Sequence, residues 1–451
     1  MVCRWQECES CSHHFAGNIL KSSVGYVLVK KKAPSRKMTS PFLPSRLCST
    51  EPAHPLIVHG QGVFLFDVED LSGACVFRIG TADASDGLKI EFTSSAVKME
   101  RISTGDKYLD SSNTKGLTTK KGAFYWVSLD SQNQRLYAGI GEARIETVIY
   151  RYEFPRKNDT TPQPWETNKR FLESLVTIRI AEDSPSVKPR KVLRDPIRRK
   201  LAMVVKDTED LTMSEIAKGN FLPRATLAPV SQQMYECIAG KKFTLNDPDF
   251  PDFTKAIEHS LATPGKWCYE RIKAKANEFS KTNPNYKETY LRITLGENNG
   301  ESPGIPYVME IWPVGHYSPV HNHGGANAVI RVLNGSIHVK VFPYLCNDAQ
   351  GIDPFAEVDF KKDDITWISQ TLNQTHQLKN LDTNKDTCIT IQCYMYDDEN
   401  KRHYDYFDYL DENGKKQQYE PDSDMDFVEF KQKIKDEWIQ EIRSKAYCPW
   451  F

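Results

Sequence analysis

Two histidines separated by one residue, His321 and His323, stand in a segment whose neighbours suit β structure. Along a strand, residues i and i+2 point to the same face, so both imidazoles could reach one metal ion while Asn322 points away. A third histidine, His376, follows further along the chain, where antiparallel strands could bring it beside the pair. Imidazole is a ligand that suits several transition metals. The spacing therefore predicts a metal site made by His321, His323 and His376.

The segments around these histidines alternate with a period of two residues, which is typical of β-strands. Such runs cover residues 290–295, 307–312 and 328–333, and a hairpin turn is expected at Gly335. Apolar residues at helical spacing predict a helix over 269–279, before the first of these strands. This order, with a distant histidine and a closing β segment, is typical of a cupin jelly roll. The predicted fold class is mainly β: a C-terminal cupin jelly roll with flanking helices, preceded by an N-terminal β sandwich.

Residues from about 264 to 409 resemble cysteine dioxygenase, a cupin-fold thiol dioxygenase. The resemblance rests on four matches, which are Pro264-Gly265-Lys266-Trp267, Tyr290-Leu291-Arg292, the stretch from Gly315-His316 to His321-Asn322-His323, and His376. It implies a non-haem Fe(II) centre held by the three histidines, and the conversion of L-cysteine and O2 to cysteine sulfinic acid. Metal cupins usually place a glutamate four or five residues after the second histidine, where this chain has Asn327 and Ala328. Three neutral imidazoles would leave Fe(II) its full charge and open positions for a thiolate and dioxygen.

The resemblance also implies roles for three residues outside the histidine set. Arg292 stands where the family places the arginine that holds the substrate carboxylate, and a guanidinium binds a carboxylate through two parallel hydrogen bonds. Tyr394 resembles the family tyrosine whose hydroxyl lies near bound substrate or oxygen. Arg292 and Tyr394 are therefore the expected catalytic residues, and Arg292, Tyr290 and Tyr394 are expected to bind substrate.

Two departures from the family leave the substrate open. The cysteine that many animal relatives join to the tyrosine is replaced by Ala328, so no thioether crosslink is expected. The family relay of Ser, His and Tyr reads Thr390, Gln392 and Tyr394, which removes the titratable imidazole. The alternatives are a dioxygenase of 3-mercaptopropionate or another small thiol, an enzyme that oxidises the N-terminal cysteine of peptides, and a non-catalytic metal-binding cupin that acts as an interaction protein.

The part of the chain before the cupin divides into three segments. Residues 1–55, rich in proline toward their end, are expected to be a disordered or targeting tail. Six short β-rich runs separated by turn residues predict a β-sandwich module over 56–155. Residues 156–235 are expected to be a linker with helical and basic segments, and 236–451 the cupin thiol dioxygenase domain. That domain is expected to end in a helix over about 423–444.

The expected sandwich has its own resemblance. Over residues 59–152, and mainly in the runs 124–130 and 135–139, it resembles a β module found beside farnesoic acid methyltransferase-like sequences. Aromatic residues that alternate in strands are usually core residues. Exposed ones could instead bind a carbohydrate or a protein.

Charge and composition exclude several classes of partner. The 451 residues hold 59 Lys and Arg against 60 Asp and Glu, a net charge of −1, which disfavours nucleic-acid binding. No run approaches the ~20 apolar residues that span a bilayer, so no membrane partner is expected. Eleven cysteines at irregular spacing, without a secretory signal, predict a cytoplasmic protein. The expected partners are a small-molecule thiol and O2.

Overall fold

The computed structural model describes residues 53–69, 71–155, 165–180, 187–296, 306–346, 352–396 and 406–446. The expected tail therefore lies almost entirely outside the described residues. Within these residues, eleven strands and one α-helix form the N-terminal part: β1 Ala53–Pro55, β2 Gln61–Val68, β3 Cys75–Gly80, β4 Gly87–Phe92, β5 Val97–Arg101, β6 Lys107–Tyr108, β7 Phe124–Asp130, β8 Arg135–Ile140, β9 Val148–Glu153, α1 Trp165–Glu173, β10 Thr177–Ile180 and β11 Val187–Leu193.

These strands make a two-sheet sandwich, as the sequence predicts. One sheet has the order β1-β10-β3-β4-β5-β6 and the other has the order β11-β2-β7-β8-β9. Aromatic rings from both sheets meet between them, with centroids 5.1 Å apart for Phe66 and Phe77 and 5.8 Å apart for Phe66 and Tyr125. Trp126 and Tyr137 are buried too. The alternating aromatics of these strands are therefore core residues.

The linker expected over 156–235 is wrong for the residues that the structure describes. Strand β10 pairs with β1 and β3, and β11 pairs with β2, so residues 177–180 and 187–193 complete the sandwich. The first part of the basic segment, Val187–Leu193, is an edge strand, bulged between Pro189 and Lys191. Edge strands tolerate both proline and charge. Arg190 forms an ion pair with Asp67 at 3.1 Å on the neighbouring strand.

The described residues from Val205 to Ala446 form the second domain, which begins before the expected boundary at 236. Its elements are β12 Val205–Lys206, α2 Met213–Lys218, β13 Leu222–Pro223, α3 Pro229–Ile238, α4 Phe253–Ala262, α5 Trp267–Ala274, β14 Leu291–Leu295, β15 Tyr307–Trp312, β16 Asn327–Asn334, β17 Ser336–Phe342, β18 Ala356–Lys361, β19 Ile365–Ile368, β20 Thr375–Lys379, β21 Cys388–Met395, β22 Phe407–Leu410, β23 Lys416–Tyr419, β24 Met425–Asp426 and α6 Phe427–Ala446. The helix expected over 269–279 ends five residues early, at Ala274, and the C-terminal helix begins at Phe427 rather than near 423.

Two sheets of this domain enclose an apolar interior. The larger has the order β13-β12-β19-β16-β21-β15-β14-β24, and the smaller has the order β18-β17-β20, beside the β22-β23 hairpin. Helices α3 to α6 pack on the larger sheet through one apolar cluster that includes Met234, Ile257 and Phe430. The two-sheet arrangement is a jelly roll, the architecture of cupins. None of the described helices is long and apolar enough to cross a membrane.

The turn at Gly335 corrects one detail of the prediction. Strand β16 pairs with β19 and β21, whereas β17 pairs with β18 and β20, so the turn passes the chain from one sheet to the other instead of closing a hairpin. Gly335 has φ +69°, and a Cβ there would lie 2.8 Å from the Thr387 carbonyl oxygen. The crossing is therefore tight enough to require glycine.

Candidate metal centre

The three predicted ligands lie together inside the jelly roll. His376 is the second residue of β20, and the segment that carries His321 and His323 lies between β15 and β16. The His-x-His spacing predicted a regular strand here, and that detail is wrong. Only isolated bridges from His321 to His376 and to Tyr409 are formed within this segment. One possible ligand atom from each of the three histidines lies within 4.8 Å of the others. Within the described ranges, this group could hold a metal ion, and it contains no carboxylate.

Backbone carbonyls orient two of the imidazoles. Nδ1 of His321 donates to the Pro319 carbonyl oxygen at 3.0 Å, and Nδ1 of His323 donates to that of Gln374 at 3.1 Å. A carbonyl oxygen can only accept, so the proton of each neutral ring is on Nδ1 and the lone pair is on Nε2. Such a carbonyl partner is the usual way in which proteins fix the tautomer and orientation of a metal-ligating histidine.

Burial keeps all three rings neutral. It lowers the pKa of His321 to about 4 and that of His323 to about 3, and the neighbouring imidazole of His321 adds to the shift of His323. The pKa of His376 is lowered well below its usual value, again mainly by burial. Neutral imidazole is the form that binds metals, so the site is ready for a cation at neutral pH.

The residues that stand where a cupin glutamate is usual offer no ligand to the three histidines. Asn327, which stands where a cupin glutamate is usual, donates through Nδ2 to the carbonyl oxygens of Met395 and Tyr396 at 3.2 and 2.9 Å. Ala328 is fully buried and is the register partner of Tyr394. The residues present therefore fit a metal held by three imidazoles alone.

A chain of buried polar side chains lines the pocket beside the histidines. Arg292 on β14 and Glu310 on β15 are register partners, and Nη1 of Arg292 lies 3.2 Å from Oε1 of Glu310. Nε2 of Gln392 donates to Glu310, and the hydroxyl of Tyr394 donates to Oε1 of Gln392. The rings of Tyr394 and His323 stack with centroids 6.4 Å apart. The predicted Arg292 and Tyr394 thus belong to one connected network that reaches the metal centre.

Glu310 is the pocket residue that the sequence reasoning missed. Burial raises the pKa of its carboxyl, and Arg292 is the largest influence in the opposite direction. The signal was present in the sequence: the segment 307–312 is otherwise apolar or aromatic, and an acid in such a strand needs a buried partner. Arg292 is 2 % exposed, so it faces the interior and not solvent.

Tyr290 forms part of the pocket wall. Its ring stacks on Trp312 with centroids 4.0 Å apart, and its carbonyl oxygen accepts from Nζ of Lys275 at 2.8 Å. Burial raises the pKa of its phenol well above the usual value, so the hydroxyl stays protonated. Tyr290 borders the same cavity as Arg292 and the histidines.

The cavity at the metal centre is small and mainly apolar. Its volume is about 50 Å³, whereas one water needs ~10–15 Å³. The apolar wall comprises Met203, Trp312, Ile330, Val332, Ile337, Val339, Val341, Phe360, Trp367, Ile368, Leu378 and Phe407. Such a cavity suits a ligand of a few heavy atoms and admits little water.

Comparison with solved structures finds cupin domains that match about a quarter of this chain. No family model matches the chain. A cupin domain from Schizosaccharomyces pombe is 19 % identical over 24 % of this chain and 64 % of its own, with a TM-score of 0.18. A cupin 2 domain-containing protein from Halorhodospira halophila is 18 % identical over 26 % of this chain and 72 % of its own, with a TM-score of 0.19. A DMSP lyase from Ruegeria pomeroyi is 17 % identical over 24 % of this chain and 48 % of its own, with a TM-score of 0.18.

The chain spans less than two thirds of the length of the first and the third of these structures. At such TM-scores the likeness says nothing about activity. The cupin jelly roll is defined here by the strand order of the second domain and by the histidines in its interior.

Proposed function

We propose that the protein is a cytoplasmic non-haem Fe(II) thiol dioxygenase that converts L-cysteine and O2 to cysteine sulfinic acid. The observation that carries the proposal is the group of three neutral, buried imidazoles, which includes no carboxylate among the described residues. Fe(II) held by His321, His323 and His376 would supply open coordination positions for a thiolate and for dioxygen. Zinc would fit the same ligands but has no redox chemistry.

The charges of the pocket support an amino acid as substrate. Arg292 offers a guanidinium to a carboxylate, and Glu310 offers a carboxylate to an ammonium group. L-cysteine carries both groups and can satisfy both residues. 3-Mercaptopropionate carries only the carboxylate, which would approach Arg292 against the repulsion of Glu310. The ion pair therefore ranks L-cysteine above 3-mercaptopropionate.

Tyr394 and the apolar wall have separate tasks in this proposal. The Tyr394 hydroxyl donates to Oε1 of Gln392 and its ring lies beside His323, so it would donate to a polar atom of the ligand by turning its single O–H away from Gln392. The apolar residues keep water out, which strengthens every electrostatic interaction within the cavity. Gln392 cannot titrate, so within the Gln392–Tyr394 pair only the phenol can give up a proton.

A second candidate substrate is an aminothiol without a carboxylate, such as 2-aminoethanethiol. The Arg292–Glu310 ion pair favours it, because its ammonium group could bind Glu310 without separating the pair. A non-catalytic cupin is the alternative from another class. Binding of a carbohydrate or protein by the sandwich remains a prediction.

Product analysis tests the proposal. Iron-loaded protein is incubated aerobically with L-cysteine, 3-mercaptopropionate or 2-aminoethanethiol, and mass spectrometry follows the addition of two oxygen atoms to sulfur. Zinc-loaded protein is the control and should give no sulfinate. Sulfinate from L-cysteine supports the main proposal, and sulfinate from the aminothiol alone supports the second candidate. Iron binding without any sulfinate would leave the non-catalytic cupin.

A further inference from the structure

Two buried charged side chains of the sandwich contact the jelly roll. Glu142 and Arg144 lie between β8 and β9, and each is 2 % exposed. Their side chains form an ion pair with Oε2 and Nη1 3.5 Å apart. Arg144 also pairs with Glu146 at 3.2 Å, and its guanidinium lies over the ring of Phe355, 4.4 Å from the centroid. Buried charges of this kind need several partners to offset their desolvation.

The main partners of Glu142 belong to the second domain. Its two carboxylate oxygens accept separately from the backbone N–H groups of Asn373, at 2.8 Å, and Gln374, at 2.7 Å. Nη1 of Arg144 donates to the Oδ1 atom of Asn373 at 2.7 Å. Asn373 has φ +60°, a left-handed conformation that asparagine adopts more readily than most residues other than glycine. The sandwich thus holds the backbone and the side chain of one residue in this conformation.

The segment held in this way carries the metal centre. The carbonyl oxygen of Gln374 accepts from Nδ1 of His323 at 3.1 Å. The side chain of Gln374 accepts from the Gly325 N–H at 2.9 Å and donates to the Ala326 carbonyl oxygen at 2.8 Å. Two residues further along lies His376 itself. Displacement of 373–374 would therefore move two of the three imidazoles.

We propose that Glu142 and Arg144 are positioning residues of the metal centre, so that the sandwich is a working part of the site and not an independent module. The proposal needs a metal at the three histidines but no oxygenase activity. Groups that hold metal ligands from outside commonly raise metal affinity by about 10–100-fold. Burial raises the pKa of Glu142 to about 7, against the influence of Arg144, so tests belong at pH 8, where the carboxyl is ionised.

The test uses Glu142→Gln in the full chain. One of the two backbone N–H groups then faces an amide NH2 instead of an oxygen. Co(II), which is spectroscopically visible and suits imidazole ligands, is titrated at pH 8. We expect about tenfold weaker Co(II) binding with an altered absorption spectrum. In metal-free protein, hydrogen exchange at the amides of Asn373 and Gln374 should become faster.

Asp130→Asn is the matched control. Asp130 is a sandwich carboxylate that is 1 % exposed and binds Asn133, remote in its contacts from residues 373–374. Its substitution should leave Co(II) affinity and spectrum unchanged. Wild-type Co(II) binding by Glu142→Gln, or an equal loss in both variants, would overturn the proposal.

A second variant covers the case in which Glu142→Gln does not fold. Asn373→Gly keeps the left-handed backbone but removes the hydrogen bonds of the Asn373 side chain to Arg144 and to the Trp367 carbonyl oxygen. It should weaken Co(II) binding in the same direction, and unchanged binding would count against the proposal. Because Co(II) affinity is measured without turnover, failure here is distinct from failure of the proposed oxygenase function.

Discussion

His321 and His376 are joined by two reciprocal backbone hydrogen bonds, each 3.0 Å long from the N–H of one residue to the carbonyl oxygen of the other. Two of the three imidazoles are therefore brought together by the main chain, before any ion binds. Protein-imposed geometry of this kind lowers the ordering that metal binding must bring about. Because the main chain holds this geometry, replacing one histidine side chain should remove one ligand without displacing the other.

Removal of one ligand should abolish tight metal binding. We expect His376→Ala to lower Fe(II) affinity by more than about 100-fold, since the loss of an outer partner alone lowers it by about 10–100-fold. His338→Ala is the control, because His338 on β17 pairs with Asp359 on the neighbouring strand β18 at 2.8 Å and is not one of the three clustered histidines. Elemental analysis after dialysis measures the result. Equal iron contents in the two variants would contradict the assignment of His376.

The stability of the metal-free protein should depend on pH through the histidines. His321 and His323 have folded-state pKa values of about 4 and about 3, below the unfolded value of 6.5. The unfolded chain therefore binds more protons in this range. The contribution of these histidines to the free energy of unfolding is present in full above pH 6.5 and is lost as pH falls toward 4. Urea unfolding of metal-free protein at several pH values measures the slope.

His323→Gln isolates this effect from other titrating groups. The variant lacks one of the depressed histidines, so its stability should fall less steeply between pH 6.5 and 4 than that of the wild type. Glu142, whose raised pKa acts in the opposite sense, contributes to both proteins and cancels in the comparison. Parallel slopes would show that His323 is not neutral and buried in the folded state.

Substitution of Glu310 should change substrate preference. Glu310→Gln removes the repulsion that a substrate carboxylate meets at Arg292, so KM for 3-mercaptopropionate should fall relative to that for L-cysteine. The variant should also unfold more easily, by about 3 kcal/mol, because the buried guanidinium loses its counter-charge. Steady-state oxygen uptake with both thiols gives the ratio.

Asp86→Asn serves as the control for Glu310. It breaks the ion pair of Asp86 with Arg101, 2.7 Å long, within the sandwich. This variant should lose stability but keep the wild-type ratio of KM values. A shifted ratio in both variants would mean that instability, and not pocket charge, determines the preference.

The Tyr394 hydroxyl should contribute to turnover and not to folding. We expect Tyr394→Phe to lower kcat by about 100-fold, the lower range for a positioned proton donor, with unchanged metal content. Tyr235→Phe, in a buried tyrosine of helix α3, should leave kcat unchanged. Oxygen uptake and elemental analysis on the same samples decide the outcome. A wild-type kcat in Tyr394→Phe would remove the proton-donor role.

Ala328→Cys should allow a thioether with Tyr394. The two residues are register partners on adjacent antiparallel strands, so their side chains point to the same face about 5 Å apart at Cβ. Oxidative joining of the thiol to the ring, with O2 as oxidant, removes two hydrogen atoms from the protein. Mass spectrometry of iron-loaded, thiol-treated protein detects that loss, and Ala328→Ser is the control. An unchanged mass under turnover would argue against oxygenase chemistry at this centre.

The group of three histidines was predictable because the spacing of its members is visible in the sequence. His321 and His323 alternate, and the missing acid at Asn327 is visible in the sequence. Glu310 was not predicted as a pocket residue, because its role depends on the strand register that places it opposite Arg292. Sequence spacing alone does not define that register. The edge strand β11 was not predicted as a strand, because its proline and basic residues are typical of a linker. Its pairing partner β2 also lies far away in the sequence.

The contacts of Glu142 also limit how the two domains can be recombined during evolution. Residues 194–204 connect the last strand of the sandwich to the first strand of the jelly roll, and a gene could be recombined there without breaking a strand of either domain. A new N-terminal partner acquired in this way would nevertheless leave the N–H groups of Asn373 and Gln374 without their acceptor. The two domains should therefore occur together in the same chain.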